Sequence, residues 1–136
     1  DQDRVIVADR EAHRVQVFDV DGNVLDVWNN IFMPNGLTIG HDGNIYIGEL
    51  PGMTNVDPTP PNHGHNITIM SPQGERLARI GDEEEGENPG QFIAPHGIGV
   101  DSHGDIYIGE VSYTVKGSFM NPPQELRSLS KLRKLD

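Results

Sequence analysis

The sequence predicts an all-β chain built from repeats of a four-stranded antiparallel unit, the architecture of a β-propeller segment. Three observations carry this expectation. First, the stretch "PNGLTIGHDGNIYIGE" returns as "PHGIGVDSHGDIYIGE", and eight of the 17 positions from Pro34 to Leu50 are identical at a shift of 61. Second, "HRVQVFDVDGNVLDVW" from His13 aligns with "HNITIMSPQGERLARI" from His65, and "DRVIVAD" from Asp3 aligns with "GNIYIGE". Third, Gly and Pro are plentiful, at 16 and 10 residues, and apolar residues run in short bursts between turns rather than at helical spacing. Short strands repeating every ~40–50 residues are the pattern of propeller blades. The alternative is a β-sandwich of unrelated hairpins, against which the two offset repeats count.

The elements follow in chain order. Blade 1 is partial and spans 3–30: "DRVIVAD" is a strand, and two further apolar runs flank the Asp21-Gly22 turn as a hairpin. Blade 2, residues 33–81, holds all four strands, at 36–40, 44–49, 66–70 and 75–80, with "HDG" turning between the first two. Blade 3, residues 94–134, opens with "GIGVD" and "DIYIGE". The tail "QELRSLSKLRKLD" has leucines at a three-residue spacing, but the repeat places a strand near 129–133. The sum is about ten strands, or two and a half blades in one domain, residues 1–136. The near-continuous runs "VIV" and "IYI" predict strands covered on both faces by neighbouring blades. A closed propeller needs about four to eight blades. The chain is therefore expected to be part of a longer ring or to complete one with copies of itself, a twofold pair being one solution.

The totals bound the function. The net charge of −11 argues against nucleic acid and against anionic membrane surfaces, both of which select basic patches. No apolar run approaches the ~20 residues of a membrane-spanning helix. Without cysteine there is no disulfide framework, thiolate nucleophile or cysteine metal site, and the compartment stays open. "NIT" at Asn66 matches the glycosylation acceptor pattern, a short and commonly fortuitous match. No Gly-rich phosphate loop opens a helix, and no serine sits in a nucleophile elbow.

Blades differ in one connection. Strands two and three are joined by "REA" in blade 1, by residues 50–64 in blade 2 and by residues 111–125 in blade 3. Insertions at one point of a repeat gather on one face and commonly shape a binding surface, although Pro-rich loops also tolerate length at little cost. The linker "GDEEEGENPGQ" holds five acids without the spacing of a calcium loop and reads as a solvated acidic segment. Asp9, Glu49 and Glu110 end the second strand of their blades and are expected to cap neighbouring backbone. His13 and His65 are repeat equivalents with an expected structural role, His63 pairs with His65 in a loop, and His41 and His103 sit in turns.

The stretches "ADREAHRVQVFDVDG", "PNGLTIGHDGNIYIGE" and "GENPGQFIAPHGIGVDSHGDIYIGE" resemble NHL repeats, and among enzymes they are similar to the peptidyl-α-hydroxyglycine α-amidating lyases. The resemblance covers nearly the whole chain and corresponds to the C-terminal half of such a six-bladed ring. It implies an axial zinc held by three histidines from different blades, a tyrosine base and substrate-binding arginines. By this resemblance Pro95-His96 makes His96 a zinc ligand, and "ADRE" makes Arg10 the active-site arginine. Ala94 and Gly97 stand where the family has a methionine and an aspartate, so a calcium ligand is missing. The resemblance places the other histidines and the tyrosine upstream of Asp1, so this chain alone is not expected to build the zinc site. A fainter resemblance, to the senescence-marker and gluconolactonase propellers, makes Asn35 of "PNGL" a ligand to an axial divalent ion. Both families place such ligands where inner strands begin, because equivalent residues of successive blades converge on the axis. The expectations are a metal-dependent lyase or hydrolase with zinc or calcium and a small-molecule or peptide substrate, or a non-catalytic scaffold that binds a protein, peptide or glycan through the long loops.

Overall fold

The computed structural model describes residues 3–52 and 64–135. The described residues form ten strands in three antiparallel sheets. Sheet one has the order β1 (Arg4–Asp9), β2 (Arg14–Asp19), β3 (Val24–Trp28). Sheet two has the order β4 (Pro34–Ile39), β5 (Ile45–Glu49), β6 (Asn66–Met70), β7 (Arg76–Ile80). Sheet three is β8 (Pro95–Val100), β9 (Ile106–Glu110) and β10 (Leu129–Leu132), with β9 in the middle. Each sheet is a meander of sequential neighbours, as blades are, and the C-terminal leucines do form a strand.

The hairpins turn on one device. The Asp19 carboxylate accepts the backbone N–H groups of Asp21 and Asn23, at 3.0 and 2.8 Å. Asp101 does the same for His103 and Asp105, Asp42 for Asn44, and the Ser71 hydroxyl oxygen for Gln73 and Glu75. A glycine with φ of +80 to +86° then closes each turn, at Gly22, Gly43, Gly74 and Gly104. That region strains any residue with a Cβ.

The core lies between the sheets. Val15, Val17 and Trp28 of sheet one pack on Ile45, Ile47 and Met70 of sheet two. On the opposite face of sheet two, Tyr46 and Ile67 pack with Ile106 and Ile108 of sheet three and with Phe92 of the linker. Because side chains alternate along a strand, β5 serves both layers, and all five of its residues are buried. The expected burial on both faces holds there and fails in the flanking sheets. Val5 and Val7 of β1 are 50% and 39% exposed, and Tyr107 of β9 is 37% exposed. These residues point away from sheet two, and no described sheet lies over them there, although the Lys131 ammonium sits 4.9 Å from the centre of the Tyr107 ring.

Sheets two and three meet most closely at their first strands. A Cβ on Gly36 would overlap the His96 carbonyl oxygen, and one on Gly48 would lie 3.3 Å from the Pro95 carbonyl oxygen. Neither glycine has a left-handed φ, so the neighbouring backbone alone demands it.

The "NIT" match falls on a buried asparagine. Asn66 is buried, and its amide donates to the Gly64 carbonyl at 2.8 Å, which holds it away from solvent. The acidic linker is not merely solvated: Glu85 pairs with Lys116 at 2.7 Å, and Glu87 accepts the Arg127 N–H at 2.6 Å. His63 and most of the 50–64 insertion lie outside the described residues.

Two outcomes follow. Gly36→Ala is expected to lower stability by about 1–3 kcal/mol or more, because backbone rather than a flexible side chain must move, as read by urea denaturation. Acid sensitivity is the second. Asp19 lies below its ordinary pKa because of the Asn23 side-chain and backbone bonds. For Asp101 burial pushes upward, but the bonds from Asp105, His103 and Tyr107 outweigh it and leave the group lowered. A depressed carboxylate stabilises the fold above its unfolded pKa, here 3.8, and that stability is lost as pH falls through the native value. The urea midpoint is therefore expected to fall below about pH 4, and Asp101→Asn to flatten that fall.

Candidate functional site

Each first strand begins with proline followed by an extra residue. Pro34 pairs with Glu49 but Leu37 with Ile47, and Pro95 pairs with Glu110 but Gly97 with Gly109. Both registers carry one surplus residue on the first strand, a bulge in the stretch that holds Asn35 or His96. A bulge leaves its residue outside the ladder and re-aims the side chain. Asn35 and His96 are thus set apart by the backbone, as their equivalence in the repeat predicts. Their surroundings differ. Asn35 is half-buried and its Nδ2 has no hydrogen-bond partner, whereas His96 is exposed.

His96 and Arg10 line one pocket of about 200 Å³ together with Leu50, Pro51, Val111, Thr114 and Val115. Arg10 starts the 3₁₀ turn Arg10–Ala12 that follows β1, so the "REA" connection delivers it to this mouth. Its guanidinium pairs with Glu11 at 2.8 Å, and both side chains are substantially exposed, at 40% and 48%. Asn35 does not line this pocket. The structure brings together two of the three sequence candidates and leaves the third apart.

The pocket wall comes from a part read only as a loop. Residues Ser112–Val115 form a short helix, α1, held by the Ser112 hydroxyl donating to the Arg127 carbonyl at 2.7 Å. Arg127 in turn donates to the carbonyls of Glu87 and Gln91, so the blade 3 insertion is tied to the acidic linker. "VSYTV" is rich in β-branched residues and carries no helix signal. Only the shared point of insertion hinted that it would shape a site.

Glu49 and Glu110 belong to the scaffold of this mouth. Glu49 accepts the Phe32 N–H at 3.0 Å, the Thr68 hydroxyl, and an Arg79 N–H at 3.2 Å. Burial pushes its pKa up, against the Thr68 and Arg79 interactions. Glu110 accepts the N–H groups of Ile93 and Ala94, at 2.6 and 3.1 Å, with Arg127 Nε 3.8 Å from its other oxygen. The expected capping role holds with one correction. These carboxylates cap the segment entering their own blade rather than a neighbouring blade. Asp9 instead binds Arg14 and Gln16, because no described segment runs beside it to be capped. His13 is structural as well: its Nδ1 accepts the Met33 N–H at 3.3 Å and its ring stacks on Phe32. A wider concavity of about 500 Å³ lies at Gly64–Asn66 and Arg79–Glu83, but its Arg79 is committed to Glu49.

Among the described residues, no three His, Cys, Asp or Glu side chains converge. Among the described residues, His96 is the sole imidazole or carboxylate that lines its pocket. Zinc and calcium both need a larger donor set than this. The described residues do not by themselves supply a donor set for either ion.

The comparisons agree on the fold. Residues 1–18 match the NHL repeat family. Among solved structures the chain is similar to a protein of unknown function from Bacteroides caccae, with a TM-score of 0.71 and 10% identity over 96% of this chain. It spans 42% of that protein's length. No curated protein matches. Sheets, repeats and family match together define the chain as a β-propeller segment. The family match itself lies in blade 1.

Glu49→Ala is expected to cost roughly 3 kcal/mol, because it removes the carboxylate that accepts the Phe32 N–H and the buried Thr68 hydroxyl and that pairs with Arg79. Urea denaturation at neutral pH measures it, and a loss below about 0.5 kcal/mol would contradict this account of the carboxylate.

Proposed function

We propose that this NHL-type propeller segment binds a small anionic ligand, a carboxylate-bearing peptide end or metabolite, between Arg10 and His96. One observation carries the reading: two residues far apart in sequence line one pocket whose remaining walls are mostly apolar. Arg10 supplies the charge. Its pairing with exposed Glu11 is a surface ion pair, worth little, so a ligand carboxylate can replace it in a bidentate bond. His96 adds a hydrogen-bonding edge at the opening strand of blade 3. Leu50, Pro51, Val111 and Val115 cover the ligand's apolar body, and 200 Å³ suits a terminal residue rather than a long peptide.

The finer reading is a metal-dependent lyase or hydrolase similar to the peptidyl-amidating lyases. It assigns Arg10 to the substrate's anionic group and makes His96 and Asn35 metal ligands. Any such ion needs further ligands beyond the described residues. A second reading, a non-catalytic scaffold, is favoured by the blade 3 insertion, which folds into α1 and supplies Val111, Thr114 and Val115 to the same mouth.

Titration calorimetry with an N-acyl-α-hydroxyglycine and with the matching N-acylglycine tests the pocket. Saturable binding is expected, weakened about tenfold or more by Arg10→Ala, which is ~1.4 kcal/mol, and also by His96→Ala. Binding that survives both substitutions would remove the assignment. Binding of a folded protein partner that is lost on deleting residues 115–124, with no affinity for the small probes, would establish the scaffold reading in its place.

A further inference from the structure

Three places in the chain carry the dipeptides that close most readily into a succinimide ring: Asp21-Gly22, Asn35-Gly36 and Asp42-Gly43. In that reaction the glycine nitrogen attacks the side-chain carbonyl carbon of the residue before it, and glycine has no Cβ to block the approach. Sequence alone ranks the asparagine first, because its amide is ordinarily the more reactive side chain. The fold reverses that order.

Asn35 is held by its surroundings. It lies half-buried in the bulged stretch of β4, with its Nδ2 shielded from solvent. Folding the Gly36 nitrogen onto this side chain would swing backbone that stands against the His96 carbonyl oxygen. Asp42 is held by hydrogen bonds. One oxygen accepts the Asn44 N–H at 3.1 Å, and the other accepts the Asn44 amide at 2.8 Å and the Tyr46 hydroxyl at 2.9 Å. Burial pushes its pKa up, but these bonds outweigh burial and leave it lowered. Ring closure expels a carboxyl oxygen as water and so draws on the protonated acid, which such donors disfavour.

Asp21 stands at the same point of the β2–β3 turn and has neither restraint. Here Asp19 takes the donors: it accepts the Asp21 and Asn23 N–H groups and the Asn23 amide. The β4–β5 turn has Gly40 in that position, so Asp42 takes them instead. The Asp21 carboxylate is exposed and, among the described residues, has no hydrogen-bond or ion-pair partner. The attacking nitrogen is also held less closely. Gly22 N–H lies 3.2 Å from the Asp19 carbonyl oxygen, whereas Gly43 N–H lies 2.9 Å from that of Gly40.

We propose that Asp21-Gly22 is a site of spontaneous isoaspartate formation, and that the fold protects Asn35-Gly36 and Asp42-Gly43 from the same chemistry. The Gly22 nitrogen bonds to Asp21 Cγ, and a carboxyl oxygen leaves as water, taking the amide proton. Water then adds to the ring at the main-chain carbonyl carbon of Asp21 and breaks its bond to nitrogen, which regains a proton. The chain now runs through Cγ, with a free carboxylate on the α-carbon. Composition is unchanged and no electrons are exchanged. The product lengthens by one backbone carbon the turn that Asp19 holds.

The test incubates the folded chain in water enriched in heavy oxygen, since each ring opening adds one oxygen from solvent. Peptide mapping then locates the label. In the folded chain Asp21 is expected to take it up at least about tenfold faster than Asp42 or Asn35, and an endoproteinase that cuts before aspartate should progressively fail at residue 21. In the chain unfolded by urea Asn35 should react first. Asn44→Ala combined with Tyr46→Phe should raise the Asp42 rate in the folded chain towards that of Asp21. Equal labelling of Asp21 and Asp42 in the folded chain, or labelling of Asn35 ahead of Asp21, would overturn the proposal. So would a folded chain that takes up no label at Asp21 while the unfolded chain does.

Discussion

Near their first strands, blades 2 and 3 are held by backbone set against backbone with no side chain between them. The His96 carbonyl oxygen overlaps the place a Cβ of Gly36 would take, and the Pro95 carbonyl oxygen comes within 3.3 Å of one on Gly48. That contact sets how near blade 3 comes to blade 2, and therefore which apolar side chains meet in the layer outside it. Tyr46 and Ile67 reach Ile106 and Ile108 because the first strands are this close. A spacing set by backbone is also stiff, since no rotamer change can relax it. His96 takes its position at the pocket mouth from the same contact.

The carboxylates at the ends of β5 and β9 do a related task in a different way. The chain entering each blade presents N–H groups that no ladder satisfies, at Phe32 in one case and at Ile93 and Ala94 in the other. A buried donor without an acceptor is costly. Glu49 and Glu110 supply the acceptor, and Arg79 and Arg127 balance the charge so introduced. The arginines reach their carboxylates from different places, the fourth strand in blade 2 and the approach to the third strand in blade 3. Arg127 thereby does double duty, because it also holds the acidic linker against the insertion that carries α1.

The pocket joins parts with separate origins. Arg10 comes from the short connection of blade 1, His96 from the bulge that opens blade 3, and the apolar wall from the ends of blade 2's second strand and the blade 3 insertion. Arg10 and His96 were legible because each stands in a motif that resembles known propeller enzymes. Asn35 was legible by the same reasoning, yet it sits apart: its place in the repeat is now covered by the next blade, whereas His96 has no described blade beyond it. Val111, Thr114 and Val115 were not legible as site residues. Nothing in "VSYTV" marks a helix, and its turn forms only because Ser112 and Lys116 find partners on Arg127 and Glu85.

The sequence by itself determined the strands, their order and their turns. These rest on local rules: alternation over a few residues, Asp or Ser accepting from the backbone two residues on, and glycine where φ is positive. Repetition of the unit then implied blades. Tertiary structure alone decided what each polar group does within that frame. Glu49 and Glu110 cap the entry to their own blades, whereas the equivalent Asp9 binds Arg14 and Gln16, because among the described residues only the first two have a segment entering the blade beside them. It also decided that β5 is buried on both faces while β1 and β9 are not, although all three carry the same apolar pattern. Burial belongs to the neighbours a strand acquires, and those are set by contacts between blades rather than by residues within one.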